Sequence, residues 1–222
     1  MKLLPLDTPE LLELVAQWLA QKENHQWLDF GNGRQVVTPT LLKIMAQRPT
    51  HFMRAYTSGR DDIPIGICGL NSVDLNFRSA TLWGAQGDKG FRNRGLGTLA
   101  AAKVLTLAFR DLGLQTVNTW VVEGNPSLRL IQRLNFRSIG RQRQCHFIDG
   151  HAYDRLLFDL LASEHEDAED DRRPRSKSSF QEPVRGNLEQ DRVPGPEPEN
   201  RPAPRRIPAT VEAGADRDAQ RG

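Results

Sequence analysis

Apolar residues follow two rhythms over the first 160 or so positions, and these rhythms divide the chain into strands and helices. Residues 2–6 form a short apolar run that predicts a strand. Thr8 follows as the cap of a helix with Leu11, Leu12, Val15 and Leu19 along one side. Thr38-Pro39 supplies a cap and a first helical position for a second helix running to Gln47. Runs at 52–57, 63–73 and 80–87 predict three strands, with turns at Asp61-Asp62 and at 76–79. A glycine-bearing loop comes next. The helix after it, from Gly95 to about residue 112, places Leu96, Ala100, Val104, Leu107 and Ala108 at helical spacing, so it packs on a sheet. Gly113 ends it. Residues 116–122 are a β-branched strand and 126–134 a helix, while 136–147 and 152–161 close as an antiparallel pair around Asp149-Gly150. The sum is an α/β domain with a mixed sheet.

The pattern stops near residue 164. Beyond it lie an acidic cluster at 164–171, the run Arg172-Arg173-Pro174-Arg175-Ser176-Lys177-Ser178-Ser179 and a stretch rich in Pro and Arg. Phe180, Leu188 and Ile207 stand isolated there. Such a segment buries too little surface to offset chain entropy of about 1–2 kcal/mol per residue, so 1–164 is expected to be the domain and 165–222 a disordered charged tail. The basic patches of the tail suit RNA or an acidic partner as well as plain solvation.

Composition narrows the function. The chain has 222 residues, 38% of them hydrophobic, enough for one well-cored domain. Lys and Arg number 30 against 28 Asp and Glu, a net +2, well short of the basic excess of a dedicated nucleic-acid binder. Cys68 and Cys145 form no CxxC spacing, so neither a disulfide framework nor a zinc site is expected, and two free thiols fit a reducing cytoplasm. Asp7, Glu10 and Glu13 interrupt any signal-peptide core, and no apolar run reaches the roughly 18 residues that a membrane span requires. No metal, membrane or nucleic-acid partner is expected; a homodimer is compatible with the sequence.

The most informative segment is Lys89-Gly90-Phe91-Arg92-Asn93-Arg94-Gly95-Leu96-Gly97-Thr98, which joins a strand to a long helix. At that junction backbone N–H groups point outward unpaired and the helix dipole adds partial positive charge. Gly95 and Gly97 let the backbone approach a bulky anion, and Arg92 and Arg94 suit phosphate oxygens. The loop reads as a diphosphate site or, failing that, a structural turn. It is neither a P-loop nor GxGxxG.

Arg92, Gly95 and Gly97 resemble the R-x-x-G-x-G signature of the GNAT acetyltransferases, and 125–136, Asn125-Pro126-Ser127-Leu128 through Asn135-Phe136, is similar to that family's N-x-S-x-x-L…G-F segment. Ile65-Gly66, Leu70, Asp74, Arg78-Ser79-Ala80 and 149–154 extend the likeness over residues 3–164, toward the branch of ribosomal-protein alanine, spermidine and amino-sugar acetyltransferases. The resemblance implies a mostly antiparallel twisted sheet flanked by helices, with acetyl-CoA as co-substrate. It also implies that Ala85, Gln86 and Gly87 run beside the pantetheine arm, that Asn93, Arg94, Gly95, Leu96, Gly97 and Thr98 wrap the pyrophosphate together with Arg92, and that Asn125 faces the pantetheine. The acceptor would be a primary amine, either a protein N-terminus or a small amine such as an amino sugar, acetylated directly in a ternary complex.

Acetyl transfer requires an ammonium to lose a proton, an oxyanion to be stabilised and a thiolate to leave. Many family members carry a tyrosine after the position of Asn125; this chain has Leu130-Ile131. That absence motivates an alternative, a non-catalytic acyl-CoA-binding protein on the same fold. For the enzyme, Ser127 is the candidate acid by resemblance, or else a helix cap. His146 falls where related members offer a glutamate base, or else is an idle strand histidine. Glu123 is the second candidate base, or a solvated strand-end carboxylate. Asp74 and Asp154 could hold the ammonium, or serve turns and strand edges. The acceptor groove is expected in segments 19–34 and 74–78, where Trp18, Trp27 and Phe30 could line it, or belong to the core. Segment 19–34 offers only Glu23 and Asp29 as carboxylates, which disfavours polyamines. Cys145 and His146 are strand neighbours facing opposite ways, so a Cys–His pair is not expected.

Overall fold

A computed structural model describes residues 1–29, 37–59 and 62–168. Among them run strands β1 (Leu3–Pro5), β2 (Phe52–Thr57), β3 (Pro64–Asp74), β4 (Ser79–Gln86), β5 (Thr116–Val122), β6 (Arg137–Ile148) and β7 (His151–Leu161), with helices α1 (Pro9–Ala20), α2 (Lys22–His25), α3 (Pro39–Gln47), α4 (Leu96–Arg110) and α5 (Leu128–Arg133). Thr8 and Thr38 cap α1 and α3 by accepting from the amides of Leu11 and Leu41, at 3.3 and 3.2 Å. The proline after each cap has no N–H to leave unpaired.

The strands form one sheet in the order β1-β2-β3-β4-β5-β7-β6. Every neighbouring pair is antiparallel except β4 and β5, which are joined by the α4 crossover and run parallel. That parallel ladder lasts only from Ser79↔Thr116 to Thr81↔Asn118. Beyond it β4 continues to Gln86 and β5 to Val122 without pairing to each other, so the sheet is split down its middle.

Each face has its own core. Against α4 lie Leu70, Leu82 and Val117, packed with Val104, Leu105 and Ala108 of the helix. Against α1 and α3 lie Met53, Ala55 and Ile67, packed with Leu12, Val15, Leu19 and Leu42. Burying each large aliphatic side chain contributes about 1.5–3 kcal/mol, so α4 is held by its apolar stripe. It has no side-chain cap of its own.

The mixed, mostly antiparallel sheet matches the expected fold class. Most expected boundaries fall within one or two residues of the observed ones. Two differ in kind. The sequence pattern does not announce α2, a single turn. The helix expected from Pro126 begins at Leu128, because the Asn125 side chain closes a turn over the Ser127 amide at 2.8 Å. Residues 165–168 dock on α4: His165 Nε2 and Thr106 Oγ1 are 2.9 Å apart, and Arg110 pairs with Asp167 at 2.8 Å. The expected tail from 169 onward lies outside the described residues, as do Phe30, Arg34 and Asp61. Among the described residues no helix is long and apolar enough to cross a membrane, and no cluster of His, Cys, Asp and Glu could hold a metal.

Candidate functional site

The split between β4 and β5 opens into a cavity of about 980 Å³. Residue alternation assigns its walls. Cys68, Leu82 and Val121 line it from the α4 face, and Asn71, Thr81, Trp83 and Trp120 from the α1 face, where Gln26–Asp29 complete the wall. The cavity therefore passes through the sheet. Thr119 Oγ1 donates to Leu82 O across the start of the split at 3.0 Å, which fixes its width.

At the α4 mouth the backbone has spare donors. Gly95 sits at φ +75°, left-handed backbone that a side chain would strain. The first helical bond is Leu99 N to Gly95 O at 3.0 Å. The six amides of 93–98 donate to nothing among the described residues. A Cβ on Gly97 would lie 3.6 Å from Leu130 Cδ1 and 3.7 Å from Tyr56 Oη, which is ordinary contact. Protein packing thus leaves room for a side chain at 97, and glycine keeps that space open as a cradle. Six free donors at the positive end of a helix fit a diphosphate. Arg92, Arg129 and Arg133 line the same mouth. Arg92 is 3.5 Å from Glu23, but both side chains are more than half exposed, so the pair is weak and the guanidinium stays available. Lys89 Nζ is tied to Asn24 Oδ1 (2.6 Å) and Gln86 O (2.7 Å), and burial, then the neighbouring Arg92, pulls its pKa down.

Of the residues expected at the coenzyme, Ala85, Gln86, Arg92, Asn93, Gly95, Leu96, Gly97, Thr98 and Asn125 line this cavity. Arg94 does not; its guanidinium lies 4.9 Å over the Phe91 ring. Nor does Gly87, where a Cβ would come within 2.1 Å of the Trp18 indole. The Gln86 side chain is used up internally, accepting from Tyr56 Oη and donating to Ile65 O and Asp88 O.

The proton-transfer candidates separate sharply. Ser127 lines the cavity half-buried, and its hydroxyl makes no capping bond, since Asn125 has taken that part. His146 is 6% exposed and does not line the cavity. Its Nε2 is 2.6 Å from Gln26 O, so that nitrogen carries the hydrogen, and its Nδ1 accepts from Arg155 at 3.1–3.3 Å. Both nitrogens are occupied. That corrects the expectation of a base there: no lone pair faces an incoming amine. Glu123 does not line the cavity either; it is a strand-end carboxylate, about half exposed and 3.3 Å from Arg141, which corrects the expectation of a base there. Asp74 caps a turn through the amides of Asn76 and Phe77, and Asp154 is held by the Gln144 amide and Arg141, so neither reaches the cavity. Cys68 lines the cavity, but burial pushes its thiol up to about 12, and Cys145 is exposed on β6.

A second cluster borders the α1 arm. The Arg155 guanidinium stacks 4.0 Å over the Trp120 ring and reaches Asp29 at 2.9 Å as well as His146. It joins the Gln26–Asp29 wall to the β6–β7 hairpin.

Residues 1–137 match the family model described as the acetyltransferase (GNAT) domain. The chain belongs to the GNAT acetyltransferases. YdaF of Bacillus subtilis (strain 168), named as a candidate ribosomal N-acetyltransferase, is 27% identical over 174 residues, covering 73% of this chain and 90% of the relative. Among solved structures, the Vibrio cholerae spermidine N-acetyltransferase in complex with CoA and spermine has a TM-score of 0.65 at 16% identity over 73% of this chain and 96% of that one. The ribosomal-protein-S5-alanine acetyltransferase of Vibrio fischeri has a TM-score of 0.59 at 15% identity, covering 72% and 92%. These two share the GNAT fold. This GNAT enzyme is an N-acetyltransferase.

Sequence reasoning missed Tyr56, Trp83, Trp120, Arg129 and Arg133 as wall residues of the GNAT cavity. For the two arginines a signal existed, since four-residue spacing puts both on one side of a helix. The others belong to strands that only the sheet order brings together.

Proposed function

We propose that this GNAT enzyme takes acetyl-CoA at the α4 mouth and a primary amine, either a protein N-terminus or a small amine, at the α1 arm, and transfers acetyl directly between them. The observation that carries the reading is the row of six unpaired amides at 93–98, opening onto a cavity that passes through the sheet.

Acetyl-CoA supplies the acetyl group as an activated thioester. The amides of 93–98 and the mouth arginines hold the diphosphate. The edge of β4 that faces the split from Trp83 to Ala85, unpaired with β5, offers backbone groups along the pantetheine path. The split holds the two reactants in one channel, which supplies much of the rate through alignment. Ser127, with its hydroxyl free, gives a proton to the departing sulfur. A protein thiol carrier is disfavoured, because Cys68 holds its proton and Cys145 lies away from the cavity; this supports a ternary complex over a double displacement. On the acceptor side, Asp29 is paired with Arg155, which leaves the weakly paired Glu23 as the remaining carboxylate among the described cavity-lining residues. A polycation would find a single carboxylate there, which favours an acceptor with one amine.

The test is calorimetric titration with acetyl-CoA, followed by thiol release over a panel of peptides, amino sugars and polyamines. Coenzyme binding with turnover of a peptide or amino sugar, and little of spermidine, is expected. Failure to bind the coenzyme would overturn the assignment of the mouth; binding without any turnover would overturn the transfer.

A further inference from the structure

Thr81–Asn118 is the last rung of the parallel ladder, and two residues past it stand Trp83 on β4 and Trp120 on β5. Side chains alternate along a strand, so both indoles share the α1 face with Thr81 and Asn118, one on either lip of the split. Trp27 borders the same arm from the Gln26–Asp29 wall. All three residues are half-buried and line the cavity, so each keeps surface that a ligand can touch. Leu28, Ile67 and Ala85 complete the apolar lining.

Trp120 is held in place before any acceptor arrives. The Arg155 guanidinium lies 4.0 Å over its ring, and the His146 ring is 5.8 Å away at 48°. Trp120 lines the cavity and Arg155 does not, so the guanidinium backs the ring and leaves the other face to the cavity. A ring whose one face already serves a cation is a poor second seat for an ammonium and a good one for a flat apolar group. The polar groups nearby are largely engaged. Asn24 donates to Trp18 O at 2.7 Å and accepts from Lys89 at 2.6 Å, Asp29 holds Arg155, and Gln26 O accepts from His146. A polyol such as an amino sugar would exchange its water for few new hydrogen bonds there, whereas an aromatic group gains buried area and stacking contact.

We infer that the acceptor arm selects a primary amine with an aromatic ring within two carbons of its nitrogen, seated against Trp27, Trp83 and Trp120. Free arylalkylamines and peptides that begin with an aromatic residue share this chemistry. The inference rests on the acetyl-transfer reading above and goes further by naming the group beside the amine.

The experiment measures kcat/KM in the full chain for matched acceptors. Phenethylamine is set against 2-methoxyethylamine, and a Phe-initiated peptide against an Ala-initiated one of otherwise identical sequence, with glucosamine alongside. At least one aromatic member is expected to exceed its partner about thirtyfold and to exceed glucosamine. The pair that shows the preference tells a free amine from a chain terminus. Trp83→Leu and Trp120→Leu should each cut that ratio about fivefold or more, with the Kd of desulfo-coenzyme A within about twofold of wild type. A wild-type ratio of about tenfold or more that falls in either variant supports the inference. A lower ratio in both pairs, better turnover of glucosamine, or a ratio that survives both substitutions overturns it. Should one variant lose coenzyme binding, the other decides; should both, the wild-type ratio decides alone. Wild-type protein that binds coenzyme and acetylates no amine overturns the acetyl-transfer reading and this inference with it. Turnover without preference for the aromatic members overturns this one alone.

Discussion

Single atoms decide most of the chemistry at this site, and the glycines show how. A methyl group at position 97 meets only ordinary contacts in the protein, whereas one at 87 collides with the Trp18 indole at 2.1 Å. Gly97→Ala should therefore leave the melting temperature within about 2 °C and weaken coenzyme binding about tenfold or more, read by calorimetry. Gly87→Ala should do the reverse, losing about 1–3 kcal/mol of stability in denaturant titration through overpacking. The proton candidates divide in the same way. Ser127→Ala should lower kcat about a hundredfold with coenzyme Kd unchanged. His146→Ala should cost about 1–3 kcal/mol of stability, because it strands Gln26 O and two Arg155 donors, while the pH profile of kcat/KM keeps its wild-type shape. A loss of the acidic limb in the histidine variant would restore that residue to the mechanism. The glycines of the loop were legible in sequence because glycine has few other reasons to recur there. His146 misled, since spacing gives a strand position but not which atoms claim its nitrogens.

At the scale of elements, the helix that presents the loop also anchors the end of the described chain. His165 packs 5.2 Å from the Phe109 ring and bonds to Thr106, both on α4, and Asp167 pairs with Arg110. Burial, opposed by Asp167 and assisted by Arg110, lowers the His165 pKa. A histidine whose folded pKa lies below its unfolded value of 6.5 binds more protons when released, so docking is strongest above that pH and weakens as pH falls through the window beneath it. Amide protection at 165–168, taken relative to the intrinsic exchange rate at each pH, should accordingly fall between pH 7.5 and 5.5, and His165→Phe should abolish that dependence. Protection indifferent to pH in the native chain would refute the linkage. The sequence pattern ended the domain at 164 because acidic residues 164–171 carry almost no apolar periodicity; the docking depends instead on one imidazole and one ion pair. Helices and strands with full periodicity were legible. The four-residue α2 was not, because a single turn has no period to detect.

For the whole molecule, the sheet order determines what the elements can do together. Alternating strands and helices imply a mixed sheet, and that much follows from the sequence. That the single parallel junction would last three rungs and then part does not, because β4 and β5 look alike before and after Thr81 and Asn118. The aromatic wall of Trp83 and Trp120 exists only by virtue of that parting. A passage lined from opposite faces has a thermodynamic consequence. Under the proposed transfer the two ligands reach the middle from opposite faces of the sheet, so occupancy of one side leaves the other vacant and reachable. Desulfo-coenzyme A and an acceptor analogue bearing a hydroxyl in place of the amine should bind simultaneously, each shifting the affinity of the other by less than about twofold. Mutual exclusion in that titration would mean a single shared entrance.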